Sequence, residues 1–432
     1  MNKTVSLTWI FLFIATYWQF SLEKSNASTP ALSSEPAETT LQPTTIPGYV
    51  AHRTDISDFL QSAINSTAGP LKIKIPAGIY VFKKGNIVIN RDYVEIEGAG
   101  NGHTILTFDP EGPVDAQAPL FVFQKPDNSP LYRTGIKDCV INSNESSFKR
   151  LENGKDTYIN KSPSIHTKVA IRLVDTSGFV AENISIKDWY GQGSMGIQIQ
   201  GKELANISRM FISADLPIQI EPNPGLNWIS IDHFHFADLT LVAANAYPCI
   251  NILKNVILTN VTFDGMQSWN RGGYGLKWDG GDSSVPATAS MSLKINNVRW
   301  EQATAPGGWM IYIHHGHALY NLDFSNLYCQ SQHPARAGET NEPVVNGIYL
   351  CRVGNVILQN YLFSGPATAI KLDPDMKPSA SGHTTVTNVH LENILISTPT
   401  AVVDLSGGMN VTGSYVLGSK RIALDDSLKT RH

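Results

Sequence analysis

The chain has 432 residues, enough for one large domain or two to three ordinary ones. Charged residues are only 16% and hydrophobic residues 42%, which excludes disorder over the whole length. The formal net charge of −4 leaves no basic footprint for nucleic acid, and ordinary glycine and proline usage excludes a collagen-like chain.

At the amino terminus, Lys3 precedes an apolar run from Val5 to Phe20, and the small-residue triplet Ser25-Asn26-Ala27 follows. This is the pattern of a secretory signal peptide over residues 1–27. An uncleaved anchor helix is the rival reading. The run is about 16 residues, short of the roughly 20 that span a bilayer, and Thr8, Thr16 and Gln19 interrupt it. Residues 28–50 are rich in Ser, Thr, Pro, Ala and Glu and read as a disordered linker. Nothing later is apolar for long enough to span a membrane, so a secreted protein, extracellular or periplasmic, is expected, with no membrane contact once the signal is removed.

Residues 51–425 read as one domain. Its first element is a helix over Asp55–Asn65, with Asp55 as N-cap and Ile56, Phe59, Leu60, Ala63 and Ile64 on one stripe. Two apolar-alternating segments follow, Leu71-Lys72-Ile73-Lys74-Ile75-Pro76-Ala77-Gly78-Ile79-Tyr80 and Val94-Glu95-Ile96-Glu97-Gly98-Ala99-Gly100. The four cysteines, Cys139, Cys249, Cys329 and Cys351, allow three pairings, and a domain this large has no need of them, so at most one bridge is expected.

From residue 170 onward one short strand recurs. It occupies 170–174, 196–200, 217–221, 249–253, 275–279, 310–314, 347–351, 369–373 and 402–406, with steps of 21 to 37 residues. Within each copy the order is small, apolar, variable, apolar, variable. Period two puts the apolar pair on one face and the variable pair on the other. Between the copies lie strands that begin with or contain asparagine, such as Asn183–Ile186, Asn255–Val261, Asn321–Phe324, Asn355–Asn360 and Asn388–Asn393. Asparagine tolerates left-handed corners and can hydrogen-bond along a stack of its own kind. Five-residue strands cannot each close a domain, but coiled into rungs each buries its apolar face against the next. The expected fold is all-β: a single-stranded right-handed parallel β-helix of about ten rungs, its open first rung covered by the N-terminal helix.

The helix followed by "IKIPAGIYVF" and "VEIEGAGNGHTIL" resembles the opening segment of the pectate-lyase-like β-helix superfamily. That superfamily holds polysaccharide lyases, hydrolases such as rhamnogalacturonases, mannuronan epimerases and phage tailspike depolymerases. The resemblance implies the fold and action on carbohydrate. It implies no particular reaction, because function lives in sites grafted on folds.

Stacked rungs place like positions about 4.8 Å apart. The first outward column is then Arg172, Gln198, Gln219, Asn251, Lys277, Tyr312, Tyr349, Lys371 and Asp404. The second is Val174, Gln200, Glu221, Leu253, Asp279, His314, Cys351, Asp373 and Ser406. Ionisable groups gather at Lys277, Asp279, Tyr312 and His314, the candidate catalytic residues. Arg271, Trp269, Tyr274, Trp309, Tyr349, Lys371, Asp373 and Glu221 are candidates for holding substrate, and Trp300, His333, Arg336 and Glu339 sit on flanking segments. Aromatic faces suit sugar rings, and Arg and Lys suit an acidic glycan.

Two mechanisms compete. β-Elimination from a uronate needs a cation for the carboxylate, a base for the C5 proton and an acid for the leaving oxygen. Lys277 or Arg271, His314 and Tyr312 fill these roles, and an epimerase would use the same base and acid. A glycoside hydrolase needs two carboxyl groups at a set separation. Glu221 and Asp279, two rungs or roughly 9.6 Å apart, are marginal, and Asp264 or Asp282 is the alternative partner. The reading favoured is a polysaccharide lyase on an acidic polymer; the alternatives are a hydrolase on the same fold and a non-catalytic glycan-binding surface protein. No metal or other cofactor is expected. Calcium would need Asp279, Asp282 and a third carboxylate, and the sequence offers no tight acidic triad. Oligomeric state is undetermined.

Overall fold

The computed structural model describes residues 37–40, 55–82, 86–108, 119–143, 169–189, 193–224, 226–243, 247–270, 273–281, 291–302, 308–315, 320–331, 345–374 and 386–424. Apart from one helix, its regular structure is β-strand, and every strand pairing is parallel except the last, where Gly408–Leu417 and Lys420–Leu424 form a hairpin. The nine repeated segments lie one over another. Ile171 pairs with Ile197, and the row continues through Ile218, Ile250, Leu276, Ile311, Ile348, Ile370 and Val403. The stack also extends before the first repeat, through Ile87–Ile89 and Pro119–Phe123. We call it the front wall.

Alternation explains its stability. Ile171, Leu173, Ile197, Ile199, Ile218, Ile220, Ile311 and Ile313 are buried in a single core that runs the length of the coil. Large rings fill the same core: Phe236 stacks on Phe263 at 4.5 Å and 15°. All four cysteines are buried and free. Burial pushes the Cys139 and Cys249 thiols up to about 12, so they behave as small apolar residues.

The asparagine-bearing strands carry left-handed corners, which on several rungs come in pairs five residues apart. Leu204 and Arg209, His233 and Asp238, Asn260 and Gly265, Asn355 and Asn360, and Asn388 and Asn393 form such pairs. The amides bond rung to rung. Asn393 Nδ2 donates to Asn360 Oδ1 at 2.7 Å, Asn360 to Asn326 at 3.0 Å, and Asn388 to Asn355 at 3.0 Å. The four-residue segment between the corners is the side wall. Asn360→Ala is expected to cost about 1–2 kcal/mol through its left-handed backbone, and Asn360→Gly to recover most of it. Equal denaturation midpoints for the two variants would contradict this assignment.

The helix runs from Ser57 to Ser66, two residues later than the sequence suggests, with Ile56 at the N-cap position. Asp55 Oδ1 accepts the Ser57 backbone N–H at 2.9 Å, so it caps one position early. Ile56, Leu60 and Ile64 are buried, with Phe59 and Ala63 packed beside them. Nearby, Lys72 and Lys137 bracket Glu95 and Glu97 on adjacent rungs, at 2.6 to 3.3 Å. Burial alone would raise the Glu97 carboxyl, but hydrogen bonds from Lys72 and Lys137 outweigh it and hold it below its ordinary value. A depressed carboxylate stabilises fully above its unfolded pKa and loses that contribution as pH falls through the folded one. The protection factors of the amides in Leu71–Ile75 and Val94–Gly98, which are corrected for the intrinsic exchange rate, should therefore fall in acid, and Glu97→Gln should remove most of that fall. An acid response unchanged by Glu97→Gln would refute this.

Candidate active site on the front wall

The first outward column is in register over its whole length: Arg172, Gln198, Gln219, Asn251, Lys277, Tyr312, Tyr349, Lys371 and Asp404 pair rung to rung. In the second column, Asp279, His314, Cys351 and Asp373 are in register. That column is less exposed than alternation implies. Val174 and Cys351 are buried, yet neither belongs to the main core cluster.

Lys277, Asp279, Tyr312 and His314 stand together and half-buried. Trp278, fully buried, anchors the strand between Lys277 and Asp279. Asp279 Oδ2 is 3.7 Å from Lys277 Nζ and its Oδ1 is 3.4 Å from His314 Nδ1. The hydrogen bond with His314 lowers the Asp279 carboxyl, with Lys277 adding to it against the opposing effect of burial. Asp279 is thus a carboxylate at neutral pH, and it favours the histidine tautomer with its proton on Nδ1.

Aromatic rings continue the wall upward. Tyr312 stacks on Tyr349 at 4.6 Å and 9°, Tyr274 meets Tyr312 edge-on at 5.3 Å, and Trp309 meets Tyr349 edge-on at 5.3 Å. Lys277 lies over the Tyr274 ring and Lys371 over the Tyr349 ring. The Tyr349 hydroxyl donates to Asp373 Oδ2 at 2.9 Å, and Lys371 pairs with the same oxygen at 3.1 Å. Burial, followed by the negative charge of Asp279, raises the Tyr312 phenol and keeps it protonated. Burial and the hydrogen bond to Asp373 do the same for Tyr349.

Below Lys277 the wall changes character. Glu221 accepts hydrogen bonds from Gln198, from Gln200 at 3.1 Å and from Gln219 at 2.9 Å, and Asn251 donates to Gln219 at 2.7 Å. Arg172 Nε continues the row to Gln198 at 2.5 Å. The sequence singled out Glu221 alone; the amide cradle around it follows from the column register once the rungs are stacked.

Several expectations need correction. Trp300 is no sugar platform, because it is fully buried in the core. Asp264 cannot pair with Asp279, because it lies on the side wall and accepts from Asn296 and Asn297. Trp269 is exposed at the end of strand Val261–Asn270, on the strand that precedes the wall rather than on it. Arg271, Asp282, His333, Arg336 and Glu339 lie outside the described residues. Among the described residues no three acidic, histidine or cysteine side chains are grouped to hold a metal ion, and no helix is long and apolar enough to cross a membrane.

No family model and no curated protein matches the sequence. Solved structures do resemble the fold. The DFA-IIIase of Arthrobacter chlorophenolicus A6 without its lid has a TM-score of 0.56 at 14% identity, covering 88% of this chain and 94% of that one. The mannuronan C-5 epimerase AlgE4 A-module of Azotobacter vinelandii scores 0.44 at 12% identity over 84% and 88% of the two chains. PfbA, a surface adhesin of Streptococcus pneumoniae, scores 0.45 at 11% identity over 90% and 96%. The chain thus has a parallel β-helix fold, which it shares with the DFA-IIIase structure.

Proposed function

We propose that this is a secreted polysaccharide lyase that cleaves an acidic glycan by β-elimination on the front wall. The observation that carries the reading is the Asp279–His314 pair set beside Lys277 and Tyr312 on two adjacent rungs. Lys277 faces the uronate carboxylate and makes the adjacent C–H more acidic. With its proton on Nδ1, His314 takes the C5 proton at Nε2. The C5–H electrons form the C4–C5 double bond, the C4–O bond breaks, and the Tyr312 hydroxyl protonates the departing oxygen. The stacked Tyr312 and Tyr349 rings, with Trp309 at their edge, offer flat faces to neighbouring sugars.

Among the described residues, hydrolysis is less well supplied. It needs a second carboxyl group within about 10 Å of the first. Asp373 is three rungs from Asp279, roughly 14 Å, and Glu221 is enclosed by three glutamines. A panel of uronate polymers, assayed for ultraviolet absorbance of the new double bond and for reducing ends, separates the readings. Both signals together support elimination. Reducing ends without absorbance indicate hydrolysis, and binding without either indicates an adhesin-like role.

A further inference from the structure

A second concave surface lies away from the front wall. It is a groove of ≈ 680 Å³ along the corner that leads into the side wall. One bank is a row of side-chain amides and a hydroxyl: Asn260, Ser292, Asn321, Asn355 and Asn388. The other bank is the outward row of the side wall: Thr262, Lys294, Asp323, Ile357 and His390. Both rows cross five rungs, so the groove runs about 19 Å parallel to the coil axis.

The lining chemistry is specific. A carboxamide has two N–H donors and an oxygen with two lone pairs. The ladder bond from Asn388 to Asn355 uses one donor of the first and one acceptor position of the second, leaving hydrogen-bonding capacity on both. Asn321 is exposed and lies outside the left-handed set. Ile357 is 44% exposed on the opposite bank, an aliphatic surface among polar groups. Lys294 and Asp323 pair at 3.6 Å and cancel each other's charge. A row of side-chain amides and hydroxyls beside apolar surface from Val261, Leu293, Leu322, Val356 and Ile357, with the lysine paired to an aspartate, matches an uncharged chain of sugars that sets hydroxyls against the amides and C–H faces against the apolar side chains. An acidic polymer would find no lysine or arginine here apart from Lys294, which is paired with Asp323.

We propose that this groove is a second saccharide site, holding a linear neutral glycan along the coil axis. It is separate from the front wall but built on the same rungs. The strands bearing Lys277, Tyr312, Tyr349 and Lys371 are each followed by the strand or corner supplying Ser292, Asn321, Asn355 and Asn388. On the Tyr349 rung only five residues separate the wall from the groove. A chain held there would keep the front wall close to a composite surface carrying both neutral and acidic polymers. This inference does not depend on the reaction at the front wall.

The test is native affinity electrophoresis of the full chain through gels containing soluble xylan, glucomannan, arabinan, galactan or inulin. At least one should retard the wild type. Asn321→Ala and Ile357→Ser, both at exposed positions, should each weaken that retardation about tenfold, the effect of losing one good contact, with melting temperature and action on uronate polymers unchanged. His314→Ala should leave the retardation intact. Ile357→Ser keeps the test decisive should Asn321→Ala prove unstable. Failure of all five polymers to retard the wild type would overturn the proposal, as would retardation unchanged in both groove variants, or lost in His314→Ala.

Discussion

His314→Ala should lower turnover on a uronate polymer by about 10²–10⁴-fold, the contribution usual for a positioned general base, with little change in melting temperature. The side chain is half-buried on the outer wall and is absent from the core, so its removal leaves no core cavity. Asp279→Asn should reduce turnover by a smaller factor. An amide can still hold the ring, but it no longer favours the tautomer with the proton on Nδ1. Lys277→Ala should raise KM as well as lower kcat, because the carboxylate is bound before it is neutralised in the transition state. The pH dependence has a fixed sign. A histidine acting as general base must be neutral, and the Asp279 carboxyl beside it lies below its ordinary value and stays ionised through the neutral range, so the rate should fall on the acid side. In His314→Ala that acid limb should vanish from whatever activity remains. Retention of wild-type turnover would remove the histidine from the mechanism.

Trp300→Ala should destabilise the protein by about 3–5 kcal/mol, as expected for emptying a fully buried indole site. The position matters for the wall. A Cβ placed on Gly275 would sit 2.6 Å from the Trp300 ring, so the indole packs directly beneath the start of the strand that presents Lys277 and Asp279. Loss of activity in Trp300→Ala should therefore track its loss of folded protein and recover on cooling or with stabilising osmolyte. Trp309→Ala is the contrasting case. Trp309 meets Tyr349 at the wall surface, and its truncation should weaken substrate binding with a stability change below about 1 kcal/mol. Denaturant midpoints beside KM values distinguish the two tryptophans. A stable Trp300→Ala with raised KM would restore the sugar-platform role.

The register of the front wall was legible because each repeat carries its own alternation. Ile197-Gln198-Ile199 and Ile311-Tyr312-Ile313 declare inward and outward positions without reference to any neighbour, and stacking then aligns residues 20 to 40 positions apart. The corners were half legible. Asn355 with Asn360 and Asn388 with Asn393 display the five-residue spacing, but Leu204, Arg209 and His233 hold the same left-handed positions with side chains that give no such signal. The place of Trp300 is not legible, because an indole looks alike in sequence whether it lines a cleft or fills a core; only the inward register of Cys329, Trp300 and Ser268 separates the cases. The burial of Cys351 and Val174 on the outward column escapes an alternation argument altogether, since alternation gives direction and not cover. The groove at the corner was invisible as a site because each amide in it reads as a turn residue. Only their alignment along one bank makes a surface.

The most direct test of elimination at the front wall is the crystal structure of His314→Ala soaked with an oligouronate. The oligouronate should lie across Tyr312 and Tyr349, with one carboxylate within hydrogen-bond distance of Lys277 Nζ and the C5 hydrogen directed at the space the imidazole occupied. An oligouronate seated elsewhere, in the Glu221 cradle or the corner groove with the wall at Lys277 unvisited, would contradict it.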